Sequence, residues 1–474
     1  MVTSIELPQV SQACHSEVEQ PELATLEHFR YERPQTNVTS RQDIPPDGGY
    51  GWVCTGCVCL INAHTWGINS AWGVFLAHFL SHSTFPKASR LEYALIGGLS
   101  ISQALLVSPL VAVFRQKIGT RGTLLLGTML VSASMFASSF ATQIWHLFLT
   151  QGACFGYGMG FLYITASAVL PQWFSKRRSL ALGIASSGAG LGGLAYNLGS
   201  GAGVEFIGVQ WTYRVLAVCT AVVNGVCALL LKDRNSTVRP RKQAFDIREF
   251  GRVEICLIIA WGFFTELGYI VLLYSLPNYA ISVGLSPAQG SMVGAILNLG
   301  LAVGRPAIGW CSDTFGRINV ATAMTALCSI YCLILWIPAY SYGILLVFAF
   351  ASGTVTGTFW ACVVPVMTEV VGLQRLPLAF GMVCLPLVLP TTFAEPIALQ
   401  LVYSSGYLTS KIFVAFAFLI GASSVFALRY WKIVQDANDE IYDDLYIHTR
   451  GIPWAERYRR WWTMIRRIVL VVKV

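Results

Sequence analysis

The chain has 474 residues, of which 55% are hydrophobic and only 12% charged, with a net charge of +8 and a mean hydropathy of +0.59. A soluble domain carries about 25% charged residues, so this composition excludes a water-facing globule and points to a chain covered by lipid. The basic excess falls in short loops between apolar runs and forms no stripe, which excludes a nucleic-acid binder.

Residues 1–46 are polar and mildly acidic, contain Pro21, Pro34, Pro45 and Pro46, and read as a disordered cytosolic tail without a cleavable signal. The first apolar helix then acts as its own insertion signal. A helix needs about 20 apolar residues to cross a hydrocarbon core of about 30 Å. Spans of that kind lie near 53–78, 92–114, 122–141, 144–170, 179–200 and 212–231, then near 253–276, 290–311, 319–338, 342–366, 378–402 and 410–430. The fold class expected is therefore an all-α membrane protein of twelve transmembrane helices in two six-helix halves.

The thirteen cysteines are mostly inside these runs, where they behave as small apolar side chains. Cys54, Cys57 and Cys59 have no second ligand cluster near them, so no metal site is expected. Loop charge orients the chain. Arg115, Lys117 and Arg121 follow span two, and Lys176, Arg177 and Arg178 follow span four. Span six is followed by seven basic residues from Lys232 to Arg252, span eight by Arg317 and span ten by Arg375. The opposite loops hold little beyond Lys87, Arg90, Arg214 and Lys411. Basic loops stay in the cytosol, which places both termini there, together with the sequons at Asn37 and Asn235, neither of which should carry a glycan.

Four boundaries follow: the tail 1–46, a first bundle 47–231, a cytosolic linker 232–252, and a second bundle 253–433 before a tail 434–474. The bundles share a repeat. Ser108-Pro109 ends span two and Gly119 follows ten residues after the proline; Arg305-Pro306 nears the end of span eight and Gly316 follows at the same distance. Two matched positions at the same helix number in each half point to a duplicated unit.

The second copy continues Gly309-Trp310-Cys311-Ser312-Asp313-Thr314-Phe315-Gly316-Arg317, which resembles the G-x-x-x-D-x-x-G-R loop of the major facilitator superfamily. That resemblance implies a cytosolic latch made by Asp313, Gly316 and Arg317 with the basic turn Lys176, Arg177 and Arg178. The first copy has Gln116 where the aspartate belongs. Two further stretches narrow the resemblance to the monocarboxylate transporter-like family, including its fungal members. Asp47-Gly48-Gly49-Tyr50-Gly51-Trp52 is similar to its D-G-G-[WY]-G-W signature. Trp173 to Gly188 looks like its second, an aromatic and basic turn followed by a small-residue helix that lets a neighbour approach closely. Glu369-Val370-Val371-Gly372 and Ala379-Phe380-Gly381 add weaker likeness, so that the resemblance covers about residues 47–430.

The resemblance implies alternating access around a site near the bilayer midplane. Arg305 lies two turns from Asp313, well inside the membrane, where the family has an arginine that meets a substrate carboxylate; a guanidinium can hold one through two parallel hydrogen bonds. Two of the family's charges are missing: Leu301 stands where animal members have an aspartate, and Asn69-Ser70 where they have a lysine. Glu266 in span seven and Glu395 before Pro396 in span eleven appear instead, and either is a candidate to carry a coupling proton. Asn62, Asn69, Tyr196, Asn197 and Asn298 are further cavity candidates, and His64 reads as hydrogen-bonded to a neighbouring helix.

The last segment turns basic and aromatic from Trp454 to Arg467, and either lies on the anionic leaflet or is unstructured. The chain shows no Gly-x-Ser-x-Gly, no His-Glu-x-x-His and no phosphate-cradling loop, so neither an enzyme nor a self-powered pump is expected. The expected partners are the lipid bilayer, protons and a small organic anion or related metabolite, with no cofactor, nucleic acid or partner protein; the plasma membrane is the default location, with a vacuolar or other organelle membrane as the alternative. A metabolite exporter with little dependence on a carboxylate and a transporter-like sensor are the rival readings.

Overall fold

Long apolar runs separated by glycines and short basic turns have one economical solution in lipid, because every backbone N–H and C=O must be satisfied within its own helix. The computed structural model describes residues 45–82, 84–85, 88–238 and 245–447, and these are helical almost throughout. In chain order the helices are α1 (50–81), α2 (90–118), α3 (120–138), α4 (Ile144–Gln172), α5 (Arg178–Phe206), α6 (Gly208–Leu230), α7 (Val253–Ser282), α8 (Pro287–Phe315), α9 (Arg317–Trp336), α10 (Tyr342–Val371), α11 (376–405) and α12 (407–447). Among the described residues, seven helices are long and apolar enough to cross a membrane, and the pair Leu91–Leu106 and Ser108–Ser138, bent by 48°, makes an eighth if it is one span. One of the seven, Leu376–Ala437, runs through the break at Gly406 and so contains both α11 and the membrane part of α12.

The repeat seen in sequence has a structural basis. Gly119 ends α2 with φ 73° and Gly316 ends α8 with φ 99°, a region where a side chain is strained, so each glycine stops its helix at the same point of the duplicated unit. The expected spans also lengthen in places. Helix α7 continues through Pro277 to Ser282, and α12 runs on to Ile447, where the pair Lys432–Asp436 at 2.7 Å lies beyond the apolar stretch. The segments 1–44 and 448–474, including Asn37 and the whole basic aromatic stretch from Trp454 to Arg467, lie outside the described residues.

The two sets of six helices meet along α5 with α8 and α2 with α11. Small residues make the first seam. A side-chain carbon on Gly183 or Gly309 would run into the backbone of the facing helix at Arg305 or Ser179, and one on Gly190 would lie 2.7 Å from the Ala302 nitrogen. At the second seam the Ser108 hydroxyl donates to the Gly381 carbonyl at 2.9 Å. The α5–α8 seam is tightest toward the end of the bundle that carries the basic loops.

That end also holds the segment between α6 and α7. Part of this segment is built into the fold. A short 3₁₀ helix, Ile247–Gly251, buries Glu249 to 1% exposure, and both its carboxylate oxygens accept from the Arg375 guanidinium at 2.7 Å, just before α11. The sequon residue Asn235 is equally engaged: its amide donates to Asp233 at 2.9 Å and accepts from Gln172 at 3.0 Å and from Arg115 at 3.2 Å.

Lys411 corrects one sequence expectation. It is not a loop charge but a side chain of α12 with 2% exposure, whose ammonium donates to the Trp336 carbonyl at 2.8 Å and lies 3.8 Å from the centre of the Tyr279 ring. A cation placed on the carbonyls at the C-terminal end of α9 is stabilised by the helix dipole, which offsets part of its desolvation. Lys87 lies outside the described residues.

The packing predicts opposite responses from two groups of glycines. Valine at Gly188, whose added carbon meets the Cys59 carbonyl, or at Gly304, which faces the Thr354 backbone, should destabilise the fold by about 1–3 kcal/mol or prevent accumulation. Alanine at Gly199 or Gly201, helical and with nothing within 4 Å, should leave stability unchanged or raise it by about 0.5–1 kcal/mol. Thermal unfolding of the detergent-solubilised variants distinguishes the two.

Candidate functional site

The two family-like signatures prove to be partners. Asp47 accepts the backbone N–H groups of Ser175 and Lys176, each at 2.7 Å, while its own N–H donates to the Trp173 carbonyl at 3.0 Å. Trp52 packs edge-on against Phe174 with ring centres 4.9 Å apart, and Tyr50 against Trp173 at 5.9 Å. Gly51 is needed there because a side-chain carbon would come within 3.0 Å of the Phe174 ring, and Gly48 and Gly49 carry the chain into α1. The basic turn before α5 is thus held by the start of α1. Lys176 and Arg177 point to solvent, whereas Arg178 is buried and donates to the Phe174 carbonyl at 3.0 Å.

The second half closes on the same turn. The Asp313 carboxylate accepts from the Ser179 N–H at 3.0 Å and the Leu180 N–H at 2.8 Å, the unpaired donors of the first turn of α5. Such an N-terminus favours an anion by its dipole as well as its hydrogen bonds. Arg317 reaches Asp313 at 3.6 Å and Glu369 at 3.4 Å, and donates to the Ser175 carbonyl at 2.8 Å. Asp313 and Arg317, with Gly316 ending α8 between them, therefore tie α8, α9 and α10 to the α4–α5 turn.

Midway along the seams lies a cavity of about 60 Å³, which holds four to six waters on the scale where one takes roughly 10–15 Å³. Helix α1 contributes Asn62, Trp66, Asn69 and Ser70 around a π-turn at Ala63–Gly67, a local irregularity of the kind found at functional sites. Helix α4 contributes Tyr163, α7 contributes Glu266, Tyr269 and Tyr274, α8 contributes Asn298, Leu301 and Arg305, and α10 contributes Trp360.

Arg305 and Glu266 are 5% and 2% exposed. The arginine Nη1 donates to the Ser186 carbonyl at 2.6 Å, across the α5–α8 seam, while its buried Nε has no protein partner. Gly357 of α10 makes the room, since a side-chain carbon there would lie 2.5 Å from that Nε. Glu266 shares the cavity wall with Trp360, Tyr163 and Tyr269. No ion pair joins Arg305 to Glu266 among the described residues. Two further polar atoms of the lining are buried without partners, the Asn62 carbonyl oxygen and the Trp66 indole nitrogen.

The structure therefore brings together five of the residues picked from sequence: Asn62, Asn69, Asn298, Arg305 and Glu266. Tyr196, Asn197 and Glu395 are not in the lining. Asn197 donates to the Gly193 carbonyl at 2.6 Å, Tyr196 packs edge-on to His64 at 5.5 Å, and Glu395 is half-buried beside Tyr274. His64 bonds within its own helix, to the Leu60 carbonyl at 2.8 Å, and meets its neighbour through that ring contact. The aromatic walls Trp66, Tyr163, Tyr269, Tyr274 and Trp360 were not legible as site residues, because mid-span aromatic side chains have the same pattern whether they face lipid, core or cavity.

Known proteins resemble this arrangement over most of its length. The family model described as Major Facilitator Superfamily matches residues 54–281 and 256–465. The "Probable transporter MCH2" of Saccharomyces cerevisiae is 31% identical over 428 residues, covering 86% of this chain and 90% of that protein. "Monocarboxylate transporter 12" of Homo sapiens is 27% identical over 432 residues, covering 82% and 81%. The crystal structure of the human organic anion transporter MFSD10 (TETRAN) shares the fold with a TM-score of 0.61 at 16% identity, over 79% of this chain and 98% of that one. With these matches spanning both sets of six helices, the chain belongs to the Major Facilitator Superfamily, as a monocarboxylate transporter-like member.

Proposed function

We propose that this transporter moves a small organic anion or related metabolite by alternating access, with Arg305 as the carboxylate anchor and a proton gradient as the driving force. The observation that carries this reading is a buried guanidinium, mid-helix, with one unpartnered N–H in an enclosed cavity. An intramembrane charge is costly and marks a substrate path by default, and an enclosed anion can satisfy it. The names of two similar proteins, a monocarboxylate transporter and an organic anion transporter, agree with such cargo.

In this reading the halves 47–231 and 253–433 rock about the cavity while the linker 232–252 joins them. The basic-loop end is cytosolic, as are both termini, and the plasma membrane is the site of action. The latch at Asp313 and Arg317 then represents the state closed to the cytosol. Glu266 is the better proton carrier because it shares the cavity with Arg305 of α8, Tyr163 of α4 and Tyr269 of α7. Glu395 of α11 faces Tyr274 of α7 and is the alternative.

Proteoliposomes containing the protein, loaded with a labelled organic-acid panel with and without an imposed pH gradient, test this directly. Arg305→Ala should weaken substrate affinity by about 30-fold or more, the consequence of roughly 2 kcal/mol for a lost buried charge pair. Flux of uncharged compounds that ignores this change would favour a metabolite exporter, and binding without flux a sensor. Glu266→Gln should remove the response to the pH gradient; a response intact in both Glu266→Gln and Glu395→Gln would place the proton elsewhere. Asp313→Ala should slow turnover about tenfold while leaving half-saturation nearly unchanged, since the latch acts on the conformational step and not on the cavity.

A further inference from the structure

A second hollow, which shares no residue with the central cavity, opens on the surface of the first six helices. Gly127 of α3 and Gly158 of α4 lack side chains where their helices meet. A carbon added at the first would lie 2.9 Å from the Phe161 Cβ, and at the second 2.7 Å from the Val131 nitrogen. Helices α3 and α4 therefore touch, whereas α2 bends by 48° at Val107. Between them runs a groove of about 370 Å³. Leu106 and Leu110 of α2 and Leu126 and Leu130 of α3 form its sides. Phe161 of α4 forms its floor, packed edge-on against Phe114 at 5.4 Å. The Tyr157 phenol is the one polar side chain of the lining. The groove has room for about a dozen water-sized groups at roughly 30 Å³ each, but almost nothing polar to hold water, so in a bilayer hydrocarbon fills it.

One end of the groove is cationic. Leu106, Leu110, Phe114 and Lys117 follow at spacings of four, four and three residues and so share a face of α2. Lys117 comes about 10 Å beyond Leu110 along the helix axis, toward the basic-loop end. Across the turn at Gly119, Arg121 lies in the first turn of α3. Both cations are exposed, and among the described residues neither makes a hydrogen bond or an ion pair. Arg115, the third cation of this turn, is engaged by Asn235. No acidic residue stands between Glu92 and Glu205, and Gln116 occupies the place that Asp313 has in the second copy of the repeat. The lost acid thus leaves two uncompensated cations beside an apolar groove. We propose that the groove binds an anionic phospholipid of the leaflet at the basic-loop end, an acyl chain lying in it and the phosphate resting on Lys117 and Arg121. The chain braces the bend of α2, whose first part brings Ile101 to the wall of the central cavity. The site is independent of what that cavity carries.

The test exchanges the full chain into micelles holding equal amounts of dioleoyl phosphatidylglycerol and dioleoyl phosphatidylcholine. Native mass spectrometry counts the lipid retained, and thermal unfolding gives a second readout. Each cation near an anionic headgroup is worth about fivefold in binding. Wild type should therefore retain the anionic lipid over the zwitterionic one by about fivefold or more, with a higher unfolding midpoint in its presence. The double variant Lys117→Gln with Arg121→Gln should bring that ratio close to one. Lys176→Gln with Arg177→Gln, which removes two exposed cations from the α4–α5 turn, should leave it unchanged. Leu110→Trp and Leu126→Phe, each of which fills the groove, should lower retention of both lipids. Equal retention of the two lipids by wild type overturns the inference. Equal loss of preference in the two double variants does so too, because it marks a diffuse surface potential and not a site. So does undiminished retention with the groove filled by either variant. Stabilisation by soluble glycerol phosphate that matches the lipid's also overturns it, by showing a phosphate site with no use for the chain.

Discussion

Close approach of α5 and α8 is the constraint on which the other features depend. Two helices can bring their backbones together only where both lack bulk, and Gly183, Gly190 and Gly309 supply that gap. In lipid, where no hydrophobic force drives one apolar helix onto another, this contact must come from packing and polar links. Once made, it fixes Arg305 against the Ser186 carbonyl and sets the Asp313 carboxylate over the first turn of α5. The cavity floor and the latch are thus two consequences of one seam. A side chain at Gly183 would displace both together.

Charge inside the bundle is handled in three distinct ways. Lys411 is spent on the carbonyl end of α9 and on an aromatic ring, so it is satisfied by the fold itself. Glu249 is taken up wholly by Arg375 and the neighbouring Arg252, with ion-pair distances of 2.7 and 3.6 Å, and is structural. Arg305 and Glu266 differ from both. They are as deeply buried and line the cavity, and the Arg305 Nε is left without a protein partner. Comparable burial with unequal satisfaction sets Arg305 apart from Lys411 and Glu249.

The helices, the duplication and the latch were legible in the sequence because each rests on a local rule. Apolar length marks a span, a glycine at fixed distance from a proline marks a helix end, and an acid before a glycine and a basic residue marks an N-terminal partner. Arg305 and Glu266 were legible because charge is rare within spans. Lys411 was misplaced for the same reason that hydropathy works: a lysine near the end of a span reads as a loop residue, and nothing local announces that the carbonyl end of α9, more than seventy residues earlier in the chain, will cap it. The pairing of Glu249 with Arg375 was not legible, because the two are likewise distant in sequence. The docking of the two signatures on each other, through Asp47, Trp52 and Phe174, needs the fold to be seen at all.

The departure at Gln116 bears on how the two seams differ. In the second half an aspartate crosses to the opposite helix N-terminus; in the first half its counterpart is an exposed glutamine, and no such carboxylate is available to α11. The start of α11 is held by other means. Arg375 is gripped by Glu249 of the linker, and Ser108 bonds across to Gly381 through a single neutral hydrogen bond. Beside Gln116, Arg115 turns toward Asn235 of the linker, which is also bound by Asp233 and Gln172. The linker therefore engages both halves at the points where the duplicated motif has lost its acid. A charge-assisted contact is roughly twice as strong as a neutral one, so the α5–α8 seam carries its closure in its own residues, whereas the α2–α11 seam depends on a segment outside the helices. The segment that links the halves in sequence is by this argument also part of the closure of the basic-loop end.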